Sequence, residues 1–164
     1  MKKILFVVLG TVVLAGAGCN NYVAEKAVEA GTGNKVKIGN DDKTLTVKTG
    51  EGEMQLGEVK KMPDNWPEDA PVYPGSTIQL VSSSNPAEGN ASVSVMLLTS
   101  DALQAVVDFY KRELVAKGWL IETDYEATDI AIFGASKDNR TMSLTSGSSD
   151  EGSSITMTIE TEKE

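Results

Sequence analysis

The chain has 164 residues, of which 40% are hydrophobic and only 5% aromatic, and its 24 acidic and 15 basic residues give a formal net charge of −9. That length allows one modest domain with appendages, and the acidic balance removes the electrostatic attraction on which nucleic-acid binding and a polybasic grip on anionic lipid depend. No histidine is present, so the commonest general base and transition-metal ligand is missing, and a single cysteine rules out an intrachain disulfide.

Met1-Lys2-Lys3 is a short basic start, followed by an apolar run from Ile4 to Gly18. This is the layout of a secretory signal peptide over residues 1–18. The run is fifteen residues long, and a membrane-spanning helix needs roughly 20. Its removal takes Lys2 and Lys3 with it and leaves a net charge of −11. Ala17-Gly18-Cys19 resembles the lipobox of bacterial lipoproteins, in which small residues precede an obligatory cysteine. Gly16 stands where that family prefers leucine, with Leu14 two residues upstream. The resemblance implies a diacylglyceryl group on the Cys19 thiol, cleavage before it and acylation of the freed amine. It places the protein on the extracytoplasmic face of a membrane. Asn20, which is not the aspartate of inner-membrane retention, makes the outer membrane the default in a diderm host. The competing layout is an ordinary leader cut near Ala15-Gly16-Ala17, with Cys19 left as a stray thiol, and a lone free thiol is awkward to keep in an exported protein.

Residues 19–34 are polar, alanine-rich and glycine-punctuated, and read as a tether behind the lipidated cysteine, in which Val23–Ala30 could form a short helix with few caps and little apolar stripe. Residues 35–59 alternate with period two. Val36 and Ile38, Leu45 and Val47, and Met54 and Leu56 form three short apolar sets between turn-like Gly39–Lys43 and Gly50–Glu53, which predicts a β-meander. Asp41 and Asp42 are adjacent and lack the spacing and bidentate glutamate of a calcium loop. Residues 60–75 hold four of the five prolines and form an extended connector. Trp66 and Tyr73 are expected to fold back over the main core. The alternative is that this proline-aromatic segment serves as a ligand for a partner groove.

Residues 76–164 read as the main domain. Strands are expected at 77–83 and 91–99. A helix over 101–117 follows from Leu103, Val106, Val107, Tyr110, Leu114 and Val115 at helical spacing, with Ser100 or Asp101 as cap and Gly118 as stop. Further strands are expected at 119–123, 130–136, 141–145 and 153–160, with a tight turn at 137–140 and a flexible one at 146–152. Hairpin-length links imply antiparallel pairing. The fold class is therefore α+β: one mostly antiparallel twisted sheet with one packed helix, in the order β-β-α-β-β-β-β, preceded by the small meander. The reverse face of that sheet, rich in Ser and Thr, is expected to be solvated or partly covered by the meander. The Val72-Tyr73-Pro74-Gly75-Ser76 turn, the helix Val107–Leu114 with its Phe109-Tyr110-Lys111 core, and Lys117-Gly118-Trp119 together resemble an uncharacterised domain of bacterial lipoproteins. The resemblance implies a small envelope module and no reaction.

Catalytic patterns are sparse. No Gly-x-Ser-x-Gly elbow and, beyond the leader, no Ser-x-x-Lys motif is present. Asp124, Glu126 and Asp129 cluster at a strand end and could serve as an acid/base pair, although such clusters are usually solvated turns. Phe109, Tyr110 and Trp119 could line an aromatic pocket, with core packing of Tyr110 and Trp119 and an edge position for Phe109 as the plainer reading. The chain thus reads as a lipid-anchored, non-enzymatic binding or adaptor module of the envelope, with no implied cofactor or metal, no nucleic-acid partner, and the membrane and an envelope protein as partners. The alternatives are a structural envelope lipoprotein without ligand and a weakly signalled hydrolase. The anchor has a direct test. Intact mass of the membrane-extracted protein should match the chain from Cys19 onward plus acyl groups, whereas a Cys19→Ala variant should be uncleaved or released.

Overall fold

The computed structural model describes residue 26 and residues 29–31, 33–39 and 44–163, apart from the side chain of Glu58. The leader, Cys19, most of the tether and the Asp41–Asp42 turn lie outside the described residues. In chain order the elements are β1 (Lys35–Ile38), β2 (Thr44–Lys48), β3 (Gly52–Val59), β4 (Thr77–Ser84), β5 (Ala91–Thr99), α1 (Leu103–Ala116), β6 (Leu120–Glu126), β7 (Ile130–Lys137), β8 (Arg140–Ser149) and β9 (Gly152–Thr161). All nine strands join one antiparallel sheet in the order β1-β2-β3-β4-β5-β9-β8-β7-β6. A single antiparallel sheet with one packed helix is what the alternation and hairpin-length links imply. The meander is not a separate unit in front of that sheet. Its last strand pairs with β4, so the observed order is five strands, helix, four strands, and the meander extends the sheet without covering its reverse face.

Pairing register decides what each face carries, because successive side chains of a strand point to opposite faces. On the helix side, one row across the strands runs Lys37, Thr46, Gln55, Val81, Val95, Met157, Leu144, Phe133. A reverse-face row runs Ile38, Leu45, Leu56, Leu80, Met96, Thr156, Thr145, Ile132. The helix side is thus polar at β1–β3 and apolar from β4 onward. The reverse face is apolar at β1–β3 and at Leu80 and Met96, rich in hydroxyls from Ser82, Ser84 and Ser94 across β9 and β8, and apolar again at Ile132 on β7. The apolar surface changes sides partway along a single continuous sheet.

The core lies between α1 and the apolar end of the helix-side face. Val106, Val107, Tyr110 and Leu114 of α1 pack over Phe133, Leu144, Ile155 and Met157, all buried. Each such aliphatic or aromatic side chain contributes on the order of 1.5–3 kcal/mol by leaving water. The helix ends as its glycine predicts. Gly118 takes φ +81°, its N–H donates to the Val115 carbonyl at 3.0 Å, and the Trp119 N–H donates to the Leu114 carbonyl at 2.9 Å. This is the paired bonding of a Schellman stop, with buried Trp119 against Leu114. The start departs from expectation. Ala102 stands at the N-cap position with no side-chain cap. Asp101 is engaged elsewhere, its carboxylate accepting from the Tyr73 hydroxyl at 2.7 Å and its carbonyl from the Ser153 hydroxyl at 2.8 Å. Tying the connector and β9 to the helix start outweighs a cap worth about 1 kcal/mol. The expected flexible stretch 146–152 is also tighter than its composition implies: β8 runs to Ser149 and β9 starts at Gly152.

The connector between β3 and β4 closes the rest of the core. Ala70 and Tyr73 are buried, Trp66 packs against the cluster, and Tyr73, Phe109 and Tyr110 form edge-on and tilted ring contacts with centroids 5.0–6.3 Å apart. Trp66 and Tyr73 therefore cover the core, with Phe109 at its rim. Asp69 fixes the segment in place. Arg140 donates to both of its carboxylate oxygens at 2.7 and 2.8 Å, and Lys137 pairs with it at 2.6 Å. The Trp119 indole N–H donates to the Asp69 carbonyl at 2.8 Å, and the Arg140 guanidinium lies 5.1 Å from the Trp119 ring centroid. Such forked, charge-assisted pairs are about twice as strong as neutral hydrogen bonds.

The Arg140 hydrogen bonds, helped by Lys137 and opposed by partial burial, hold the Asp69 carboxyl well below the usual carboxylate range. A lowered folded-state pKa stabilises fully above the unfolded value near ~3.9 and is lost as pH falls below it. Asp69→Asn should therefore cost about 1–3 kcal/mol at neutral pH. The difference from the parent should shrink steadily below about pH 4, as read by urea unfolding at both pH values. Tyr110 gives a prediction of opposite sign. Its hydroxyl is fully buried and, among the described residues, makes no hydrogen bond of normal geometry, the Tyr73 backbone being a polar neighbour too poorly aligned to satisfy it; burial pushes its pKa up. An unsatisfied buried hydroxyl costs about 1–3 kcal/mol, so Tyr110→Phe should match or exceed the parent in thermal stability. A clear loss of stability would reveal a partner for that oxygen.

Candidate binding cleft

Neither α1 nor the tightly packed part of the connector covers the helix-side face of β2–β4. A cleft of about 700 Å³ opens there, lined by Lys48, Glu53 and Gln55 from β2 and β3, by Val81, Ser82 and Ser83 from β4, and by the connector residues 60–65. Period-two alternation puts Lys48, Glu53 and Gln55 on this face, and the pairing Lys35–Lys48–Glu53–Ser83 puts them in line. Gly52 is what lets the row close. A Cβ at that position would stand 2.0 Å from the Ser83 carbonyl oxygen, so any other residue would push β3 off β4. Val81, almost fully buried, forms the floor. The rim is a tight turn in the connector, where the Trp66 N–H donates to the Pro63 carbonyl at 2.9 Å and Met62 packs back on the core.

The electrostatics of the lining are uneven. Glu53 is satisfied twice, by Lys48 Nζ at 2.6 Å and by the Gln55 amide at 2.8 Å, and these contacts, Lys48 first, lower its pKa. Lys60 and Lys61 have no carboxylate within 4 Å among the described residues. Lys35 and Lys37 continue the row on edge strand β1. Five lysines therefore face or flank one cleft. Residues 63–164 carry seventeen acidic residues against six basic ones. Two carboxylates, Glu53 and Asp64, also line the cleft, so its lysines are in excess of the acidic groups but not alone, and Ser82 and Ser83 add hydroxyl and backbone groups.

The residues singled out for chemistry lie elsewhere. Asp124 and Glu126 project on the helix side of β6 and grip Lys111, with Asp124 at 2.9 Å, and the two carboxylates push the Lys111 ammonium up to about 12. Asp129 lies across the sheet in the β6–β7 turn, where its carbonyl accepts from the Ser148 N–H at 2.9 Å. These carboxylates serve an ion pair and a turn, and no acid/base pair assembles. Tyr110 and Trp119 belong to the core. Among the described residues, no group of three Cys, Asp or Glu is placed to hold a metal ion. The cleft lysines were not legible as a site. Each reads as the polar member of an alternating strand, and only the β1–β2–β3–β4 register brings them together.

Residues 80–153, a little under half of the chain, match the model of a START domain-like family. The matched stretch runs from within β4 through α1 to the start of β9, and includes the floor of the cleft and the whole helix-covered core. No curated protein and no solved structure shows a significant match to the chain.

Proposed function

We propose that the protein is a lipid-anchored, non-enzymatic binding module of the bacterial envelope whose lysine cleft holds a small anionic ligand. The observation that carries the reading is the open cleft of about 700 Å³ in which Lys60 and Lys61 have no carboxylate within 4 Å among the described residues, on a protein that is otherwise strongly acidic. The START domain-like match supports ligand binding as the activity, because domains of that kind are generally binding domains. The space between α1 and the sheet is filled by side chains with no exposure, such as Val106, Leu114, Leu144 and Met157. A ligand is therefore better accommodated beside the helix than beneath it. The lipobox-like Ala17-Gly18-Cys19 supports the anchor. No described helix is long and apolar enough to cross a membrane.

Lysines act as flexible point charges and suit a carboxylate or phosphate group. Binding of this kind weakens with added salt. Backbone amide shifts in a titration of the detergent-solubilised protein with glycerol phosphate should concentrate at residues 60–65 and 82–83. The double variant Lys60→Glu/Lys61→Glu should bind at least about tenfold more weakly, a loss of about 1.4 kcal/mol. Asp108→Asn, exposed on the outer face of α1, should leave the titration unchanged. Shifts scattered over the surface, or indifferent to the lysine substitutions, would dismiss the cleft as the ligand site.

A further inference from the structure

We infer that the reverse face of β1–β4 is a membrane-docking surface that rests on the bilayer to which Cys19 is anchored. Val47, Met54, Leu56, Leu80, Met96 and Leu98 share that face by register. Met54 is 38% exposed, Leu56 45% and Leu98 40%. A contiguous exposed apolar patch on an otherwise charged domain marks an interaction surface. Both α1 and the connector lie on the opposite side, so no described element outside the sheet crosses the patch.

Three features select a lipid surface as the occupant. The first is reach. Sixteen residues lead from Cys19 to Lys35, so even a fully extended chain keeps β1 within about 53–58 Å of the anchor. The strands nearest the lipid in sequence are those with the apolar reverse face, and tethering makes their contact with the bilayer an intramolecular event. The second is charge. Residues 35–62 carry six basic and five acidic residues, while the net charge of −11 falls in residues 63–164. The β1 end can approach an anionic bilayer that repels the other end. Nine strands spaced about 4.8 Å apart place β6 some 38 Å from β1, well beyond the screening length of about 8–10 Å. The third is the composition of the rest of the face. Beyond Met96 and Leu98 the neighbouring positions are Thr156, Ser154, Thr145 and Gly147, a surface suited to water. Apolar residues return on this face at the far edge, where Leu120 is 65%, Tyr125 54% and Ile130 37% exposed, but they stand beside Glu122, Asp124, Glu126 and Asp129, so charge selects the β1–β4 end as the one that rests on an anionic bilayer.

The inference rests on the lipid anchor proposed above, and the experiment separates the two. Acylation consumes the Cys19 thiol, so an introduced cysteine carries a bimane label uniquely. Full-length lipidated protein with Leu56→Cys, Met54→Cys or Ser143→Cys would be placed in phosphatidylethanolamine–phosphatidylglycerol vesicles. Ser143 is exposed on the hydroxyl-rich part of the same face. Labels at 54 and 56 should be quenched several-fold more by doxyl lipid, and several-fold less by aqueous iodide, than the label at 143. Equal quenching at all three positions, with Cys19 acylated by mass, overturns the docking surface and leaves the anchor standing. Protection at 56 that persists in detergent and falls on dilution identifies a second copy and also overturns it. A chain whose Cys19 itself takes the label lacks the anchor and overturns both.

Discussion

A continuous antiparallel ladder allows no strand to rotate independently of its neighbours, and this constraint organises the whole molecule. Every side chain's face follows from the register of the pairing beside it. A one-residue slip at the β3–β4 junction would send every side chain of β1–β3 to the other face. Lys48, Glu53 and Gln55 would move to the side of Leu80 and Met96, and Met54 and Leu56 would fill the cleft. Gly52 holds that junction at one end, because only glycine allows β3 so close to the Ser83 carbonyl. At the other end the register shifts between Leu56 and Val59 and between Ile78 and Leu80, which sets Ile78 beside Val59 on the helix side. The exchange of apolar and polar character across the sheet thus depends on a few residues at one strand boundary.

The connector is the second constraint, and its effect is to limit how far the core extends. Asp69 ties it to Arg140 and Lys137 in the β7–β8 hairpin, while Tyr73 ties it to Asp101 at the start of α1. These contacts link the start of α1 and the β7–β8 hairpin to the segment leading into β4. They also hold the connector over the middle of the sheet, so the helix-side face beyond it stays open. The cleft exists because Lys60–Asn65 reach past the covered core, and polar residues on β2 and β3 face it because no apolar cover is available there.

Much of the fold was legible in the sequence. Period-two alternation at residues 153–160 and helical spacing from Leu103 to Val115 each point to one element type, and Gly118 marks the stop. The cap was misread because Asp101 is chemically able to cap. Its carboxylate is taken instead by Tyr73, twenty-eight residues away, and that pairing is set by the folded connector. The Ser/Gly-rich stretch 146–152 was read as flexible because local composition does not register the ladder that Ser146 and Gly147 make with β9. The meander was harder still. Alternation shows that Val36, Leu45 and Met54 share faces with their i+2 neighbours, but not which side of the next sheet that face joins. Without that orientation, neither the lysine cleft nor the apolar patch could be recognised.

The cleft and the apolar patch lie back to back on β2–β4, separated only by the thickness of one sheet. Lys48 and Val47 are chain neighbours, as are Glu53 and Met54, or Gln55 and Leu56, and each pair contributes one residue to either side. If the apolar side rests on lipid, the cleft necessarily faces away from it, near the bilayer and open to water. A ligand arriving from the aqueous side would meet the lysines directly, while the acidic end of the domain would stand off from an anionic bilayer. On that reading, one alternation pattern held in one register would supply both the orientation on the bilayer and the place to bind.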